Sequence, residues 1–133
     1  MAEILAKNIR NFALIGHGGE GKTTLAEAIL FNAKAIDRQG RTEDGNTVMD
    51  FDSEEIAKKI SISLSVANCF YECEFGSAKF NVIDTPGFFD FEGEMRLALS
   101  AADGAVVVSG LGGNVSVGTE KALDYCIQNN IPA

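Results

Sequence analysis

Eight consecutive residues near the start of the chain have the types and spacing of a loop that binds phosphate. Glycines let a backbone curl so that its N–H groups point at phosphate oxygens, and a following helix adds positive charge at its N-terminus. In this G-x-x-x-x-G-K-S/T pattern the lysine neutralises the β- and γ-phosphates and the last hydroxyl binds Mg²⁺. A glycine-rich turn that binds nothing is the alternative. The pattern runs from Gly16 to Thr23, and the predicted nucleotide-binding residues are His17, Gly18, Gly19, Glu20, Gly21, Lys22, Thr23 and the adjoining Thr24.

A second candidate element, Asp84-Thr85-Pro86-Gly87, directly follows an apolar segment about sixty residues after the loop. Ligands of open α/β sheets bind at the carboxyl ends of strands, so we expect both elements at one sheet edge. Asp84 suits Mg²⁺, usually through a water molecule. Gly87 could offer its N–H to a γ-phosphate and move when that group leaves. An Asp-x-x-Gly sequence is also a common turn, but the distance from the loop favours a nucleotide site.

The elements that must position these residues alternate along the chain. The antiparallel pair 62–75 and 79–84 is joined by a turn at Gly76-Ser77. Residues 37–59 are polar, which predicts a long functional loop with a short helix near 52–58. The alternation predicts a P-loop NTPase fold of the α/β class, with three α/β/α layers, a mostly parallel sheet and one antiparallel edge pair. The remaining predicted strands are 12–15 and 105–108, and the helices are 22–33, 92–102 and 119–128.

The predicted helices also indicate which side chains face the core. In the first helix, Leu25, Ala28 and Ile29 lie on one side at helical spacing. Glu54 and Glu55 could suggest a paired acid and base. Adjacent helical residues point about 100° apart, so we expect both carboxylates on a solvated face instead.

The overall composition excludes several kinds of protein. The 133 residues are 46% hydrophobic with a net charge of −8. No apolar run approaches the ~18 residues of a membrane helix, and residues 1–11 lack an apolar signal segment. We therefore expect a cytoplasmic protein without membrane contact. The acidic surplus argues against direct nucleic-acid binding, because phosphate backbones are bound by clustered lysine and arginine.

Together with the residues around them, the two elements resemble the GTP-binding (G) domain of elongation factor G and its paralogues. The similarity runs over nearly all of the 133 residues. It implies GTP or GDP as the ligand, Mg²⁺ as the cofactor, hydrolysis coupled to a switch movement, and the ribosome as the partner of the full-length protein. The segments that carry the resemblance are 8–11, 16–17, 45–51, 59–63, 81–87, 90–91 and 102–108.

Three residues depart from the family pattern. Lys59 stands where the family has Gly, and Ser61 stands where it has the Mg²⁺-binding Thr. A serine hydroxyl can still coordinate the metal, and a plain serine at the start of a strand is the alternative. Phe88 stands at the position of the catalytic His, and a phenyl ring has no group to orient water. Catalysis would then depend on Mg²⁺, Lys22 and backbone donors such as Gly87.

The Phe88 departure leaves several functions open. It predicts slow hydrolysis, or hydrolysis that needs a partner, and it points to a paralogue rather than the housekeeping factor. A GTP-binding regulator that does not hydrolyse is one alternative. A P-loop ATPase of another class is a second alternative, and the spacing between the loop and Asp84 argues against it.

The C-terminal residues lack the guanine-reading motif of the family. That motif, Asn-Lys-x-Asp, follows the next strand, and residues 129–133 do not contain it. We therefore expect residues 1–133 to form a partial G domain that ends before its last strands, so guanine specificity comes only from the resemblance. Strand 105–108 would then be a sheet edge with unpaired backbone groups, which predicts self-association.

Overall fold

The computed structural model describes residues 5–74, 76–87, 92–110 and 115–133. Single turns of 3-10 helix lie at Ala6–Asn8 and Thr42–Asp44. Within these residues the strands are Ile9–Ile15 (β1), Ser65–Cys73 (β2), Gly76–Asp84 (β3) and Gly104–Val107 (β4). The helices are Lys22–Asn32 (α1), Ser53–Lys58 (α2), Glu92–Ala101 (α3) and Val117–Gln128 (α4).

The strands form one sheet in the order β2-β3-β1-β4. β1 pairs in parallel with both β3 and β4, and β2 pairs antiparallel with β3. The predicted mostly parallel sheet with one antiparallel edge pair is therefore confirmed. Leu14 lies opposite Asp84 in the register, so β1 and β3 end side by side. The loop that follows β1 consequently begins next to Asp84.

Helices cover both faces of the sheet, which confirms the three-layer fold. Ala13 and Ile15 face α3 and α4, whereas Leu14 faces α1. This alternation follows from the two-residue period of a strand, and it explains why β1 is apolar throughout its second half. The other buried residues of the two cores are Ile83, Met95, Ala98, Leu99, Ala122 and Cys126 on one face, and Ala26, Leu30, Met49, Cys69 and Val82 on the other.

The antiparallel pair differs in two places from the prediction. β2 begins at Ser65 rather than at residue 62, because the N–H groups of Ile62 and Ser63 donate to a side chain instead of to a strand. The predicted turn at Gly76-Ser77 is also wrong, since both residues already belong to the ladder opposite 72–73. The described turn residue, Glu74, precedes Gly76.

Burial corrects two predictions about helix faces. The fully buried apolar residues of α1 are Ala26 and Leu30, while Leu25 and Ile29 pack only at the margin of that core. The predicted face is therefore shifted by one residue. Glu55 is buried rather than solvated, because its side chain accepts backbone hydrogen bonds.

The strand β4 lies at the sheet edge opposite β2. Its outer side is partly paired, because the Ala105 N–H donates to the Pro132 carbonyl at 2.8 Å. Val106 on the same strand is exposed. Among the described residues, none of the helices combines the length and apolar character needed to cross a membrane.

Candidate functional site

The loop between β1 and α1 folds tightly over its own backbone. Gly19 and Gly21 have φ angles of 79° and 93°, in the left-handed region that favours glycine. Lys22 is the first residue of α1, and its Nζ bends back to donate a hydrogen bond to the His17 carbonyl at 2.8 Å. The loop thus places a cation and a helix N-terminus together, which suits phosphate binding.

A cavity of about 320 Å³ lies beside this loop. Three distant parts of the chain complete its wall: residues 42–43, residues 59–61 and Gly87. Concave sites that gather a few polar groups from several segments are where small ligands bind. The predicted nucleotide-binding residues that line the cavity are Gly18, Gly19, Gly21, Lys22, Thr23 and Thr24.

His17 and Glu20 lie outside the lining of this cavity. Oε2 of Glu20 accepts hydrogen bonds from the His17 backbone N–H at 2.8 Å and from the Thr119 hydroxyl at 3.2 Å. Thr119 is buried in the first turn of α4. Glu20 therefore ties the loop to α4, and a direct contact of His17 or Glu20 with a nucleotide stays a prediction.

The three predicted metal-binding residues come together although they are far apart in sequence. Thr23 Oγ1 donates a hydrogen bond to Asp84 Oδ2 at 2.6 Å and lies 3.1 Å from Ser61 Oγ. Thr23 is the second residue of α1, Asp84 ends β3, and Ser61 lies between α2 and β2. The parallel pairing of β1 with β3 produces this proximity, because it aligns the strand ends.

The hydroxyl protons of this cluster point away from its centre. The Thr23 hydroxyl donates its hydrogen bond to Asp84, and the Ser61 hydroxyl donates to Asp50 Oδ1 at 2.7 Å. A hydroxyl has one proton and two lone pairs, so both oxygens keep lone pairs for a cation. Neighbouring ligands of octahedral Mg²⁺ lie roughly 3 Å apart when each bond is about 2.1 Å. The 3.1 Å separation of the two hydroxyl oxygens fits that geometry.

Asp84 is buried and short of hydrogen-bond donors. Its Oδ1 is a buried atom without a hydrogen-bond partner among the described residues. Burial raises the pKa of Asp84 to about 6, and Asp50 adds to this shift, while the Thr23 hydrogen bond, Lys22 and, least, the backbone N–H of Thr85 oppose it. An unpartnered carboxylate oxygen in such a place favours a cation or water held by a cation.

The ammonium group of Lys22 is desolvated as well. Burial lowers the pKa of Lys22, and the attraction of Asp84 and Glu20 opposes that shift. A phosphate beside Nζ would add negative charge and favour the protonated form. A bound anion would therefore interact more strongly with this ammonium group than with that of an exposed lysine.

Sequence reasoning missed Asp50 as a site residue. Asp50 is 4% exposed and accepts hydrogen bonds from Ser61 and, at 3.3 Å, from the Thr47 hydroxyl. Burial raises the pKa of Asp50, and the Ser61 hydrogen bond opposes the shift. In the described part of the chain, no three His, Cys, Asp or Glu side chains form a metal cage. Two hydroxyls with carboxylates behind them instead suit a hydrated Mg²⁺.

The backbone of Gly87 lies directly against the loop. Its carbonyl accepts a hydrogen bond from the Gly18 N–H at 3.0 Å. A Cβ at this position would collide with Lys22 Nζ and with the Gly18 backbone nitrogen, so glycine is required. The carbonyl of Gly87, rather than its N–H, meets the loop, and contact of the N–H with a γ-phosphate stays a prediction. Phe88 lies outside the described residues.

Comparison with known proteins agrees with this geometry. The family profile described as "Elongation factor Tu GTP binding domain" matches residues 7–133. An elongation factor G-like protein of Mycobacterium tuberculosis is 42% identical over 124 residues, which cover 93% of this chain and 17% of that protein. Elongation factor G of Carsonella ruddii is 35% identical over 126 residues, which cover 95% of this chain and 18% of that protein.

Solved structures show the same relationship. A crystal structure of a Thermus thermophilus protein superposes with a TM-score of 0.87 at 39% identity, covering 93% of this chain and 18% of that one. A bacterial selenocysteine-specific elongation factor superposes with a TM-score of 0.68 at 22% identity, covering 92% and 18%, which shows the fold alone. The chain therefore belongs to the family of elongation factor Tu GTP-binding domains and is similar to its elongation factor G-type members.

Proposed function

We propose that this chain binds the phosphates of GTP or GDP together with Mg²⁺, as the G domain region of an elongation factor G-like translational GTPase. The single observation that supports this most is the meeting of Thr23, Ser61 and Asp84 beside the loop cavity. Random glycine-rich turns do not gather two hydroxyls and a buried carboxylate from three separate segments.

The chain's own groups divide the work of binding. Loop N–H groups of residues 19–21 would donate to the β-phosphate, the Gly18 N–H would remain for the γ-phosphate, and Lys22 would place its charge between the two phosphates. Thr23 and Ser61 would hold Mg²⁺ directly, with Asp84 and Asp50 behind them through hydrogen bonds or water. The metal, when bound, neutralises negative charge on the phosphate oxygens.

Gly87 supplies the proposed switch. The Gly18 N–H is one of the loop donors, and here it is bonded to the Gly87 carbonyl. A γ-phosphate that takes this donor must displace Gly87, which moves the residues after β3. Ser61, as a residue that would hold Mg²⁺, would be fixed or released according to whether the metal and that phosphate are present. The state of the nucleotide would therefore reposition two segments together, and in the full-length protein the ribosome would read this change.

Hydrolysis is proposed to be slow or to need a partner, because Phe88 cannot orient water. A regulator that binds GTP without hydrolysing it is the second candidate, and the same residue favours it. Single-turnover hydrolysis with and without ribosomes separates the two. We also propose a cytoplasmic location, no direct nucleic-acid contact by this acidic chain, and self-association along the exposed part of β4.

The test is binding of fluorescent GDP, with ADP as competitor, in the presence and absence of Mg²⁺. It is made on this chain and on any longer protein that contains it. Lys22→Ala should abolish binding, while Lys58→Ala, which changes an exposed lysine paired with Glu54, should leave it intact. ADP should not compete in the longer protein. Equal competition by ADP would instead support a P-loop ATPase of another class.

A further inference from the structure

Two buried carboxylates near the site have no part in the proposed contacts with nucleotide. Glu27 is 0% exposed and Glu55 is 3% exposed. Each accepts three backbone N–H hydrogen bonds, and neither belongs to an ion pair found among the described residues. Both act on residues 40–63, the stretch between α1 and β2, which we call the 40–63 segment.

Glu27 fixes the first half of the 40–63 segment to α1. Its Oε2 accepts from the Gly40 N–H at 2.9 Å, and its Oε1 accepts from the N–H groups of Val48 at 2.6 Å and Met49 at 3.2 Å. A Cβ on Gly40 would lie 2.6 Å from the Asn46 carbonyl oxygen, so a larger residue would require the backbone to move here. The residue after Met49 is Asp50, which accepts the Ser61 hydrogen bond.

Glu55 fixes the second half of the segment. Its Oε1 accepts from the N–H groups of Ile62 at 2.9 Å and Ser63 at 3.1 Å. Its Oε2 accepts from the Asp52 N–H at 3.2 Å, which closes the capping box of α2. The two residues that follow Ser61 are therefore held by one side chain from the helix that precedes it.

These contacts replace a backbone ladder. Apart from α2 and one 3-10 turn, the described residues of the 40–63 segment form no helix or strand. Hydrogen bonds to an ionised acceptor are about twice as strong as neutral ones, and a buried carboxylate without its donors is costly. The arrangement that satisfies both glutamates is also the one that places Ser61 Oγ 3.1 Å from Thr23 Oγ1.

We propose that Glu55, with Glu27 supporting the other end, is the positioning residue for the metal-facing hydroxyl of Ser61. This inference rests on the proposed Mg²⁺ and nucleotide site. Glu55 itself touches neither metal nor phosphate. It sets Mg²⁺ affinity by fixing Ile62 and Ser63, so that the neighbouring hydroxyl is already in place when the metal arrives.

The test compares Glu55→Gln with Glu54→Gln in the full chain. Glu54 is adjacent on α2 but exposed, and its carboxylate pairs with Lys58. Three quantities are measured: affinity for a non-hydrolysable GTP analogue in EDTA, Mg²⁺ affinity of the chain bound to that analogue by calorimetry, and amide hydrogen exchange at Ile62 and Ser63 by NMR. Loss of outer-shell partners typically lowers metal affinity ~10–100-fold. Glu55→Gln should weaken Mg²⁺ binding by about 10-fold and accelerate exchange at both amides, while affinity for the analogue in EDTA stays unchanged.

The outcomes separate this inference from the proposed function. Equal Mg²⁺ affinity in Glu55→Gln and Glu54→Gln overturns the positioning role. Failure of the unaltered chain to bind GDP even with Mg²⁺ overturns the proposed function instead. If Glu55→Gln does not fold, Glu55→Asp serves as the second variant, because it retains the charge but is one methylene too short for Ile62 and Ser63. Unweakened Mg²⁺ binding by folded Glu55→Asp would equally overturn the proposal.

Discussion

Replacing Asp84 with Asn should stabilise the metal-free chain at neutral pH while it weakens Mg²⁺ binding. The pKa of Asp84 is raised from about 3.8 to about 6, mainly by burial. At pH values between these two pKa values, Asp84 is therefore protonated in the folded state but ionised in the unfolded state. Stability from this group is present below about pH 4 and is lost as the pH rises through about 6. At about 1.36 kcal/mol per pH unit, the ionised carboxylate costs about 3 kcal/mol above that window.

The assay is urea unfolding of the unaltered chain and of Asp84→Asn in EDTA at pH 4.5 and pH 7.5. Asp124→Asn, an exposed position on α4, is the control. Asp84→Asn keeps an oxygen that can accept the Thr23 hydroxyl proton, so its advantage should appear at pH 7.5 and shrink at pH 4.5. Adding Mg²⁺ at pH 7.5 should stabilise the unaltered chain and Asp124→Asn but not Asp84→Asn.

The direction of the pH effect decides whether this reasoning is correct. If Asp84→Asn is less stable than the unaltered chain in EDTA at pH 7.5, the ionised carboxylate does not destabilise the folded state. If the difference between the two proteins is the same at both pH values, its ionisation does not control stability. Either result would contradict the claim that burial makes ionised Asp84 destabilising and that Mg²⁺ offsets this destabilisation.

Three further predictions concern positions that depart from family or sheet expectations. Lys59 has a φ of 57° at the end of α2. Lys59→Gly should therefore raise the free energy of unfolding by about 1 kcal/mol, whereas Lys58→Gly within α2 should lower it; equal changes in urea unfolding would contradict this. Phe88→His should increase single-turnover GTP hydrolysis, and an unchanged rate would refute the role given to that position. The exposed part of β4 should cause self-association at high concentration. Light scattering that finds only monomer would contradict this.

Local sequence patterns were sufficient to predict the loop, the strand before it and Asp84. A run of glycines before Lys22-Thr23 is typical of a phosphate-binding loop. Parallel pairing of the strands before the loop and before Asp84 then brings Asp84 next to the loop. The helix near 52–58 was also predicted. The spacing of Asp52 and Glu55, which is typical of a capping box, is a further signal for it that the prediction did not use. That same pattern could have corrected the prediction that Glu55 is solvated.

The roles of Glu27, Asp50 and Glu55 were not predictable because their partners are mostly remote or are backbone groups. Any residue except proline offers a backbone N–H, so no side-chain type marks Gly40 or Ile62 as a donor. The start of β2 was misplaced for the same reason. An alternating apolar pattern extends to Ile62, but its N–H is already bonded to Glu55. Sequence periodicity cannot show such competition for a donor.

Three of the buried carboxylates around the cavity differ in the hydrogen bonds that they accept. Glu27 and Glu55 each accept three backbone N–H groups, and so hold the chain in place. Asp84 accepts one hydroxyl and leaves Oδ1 without a partner among the described residues. The hydrogen bonds of the two glutamates hold the 40–63 segment against the loop without any ligand. The ionised side chain of Asp84, by contrast, is expected to destabilise the metal-free fold and to be stabilised by Mg²⁺. We therefore expect the glutamates to maintain the shape of the site and Asp84 to make the stability of the fold depend on the bound metal.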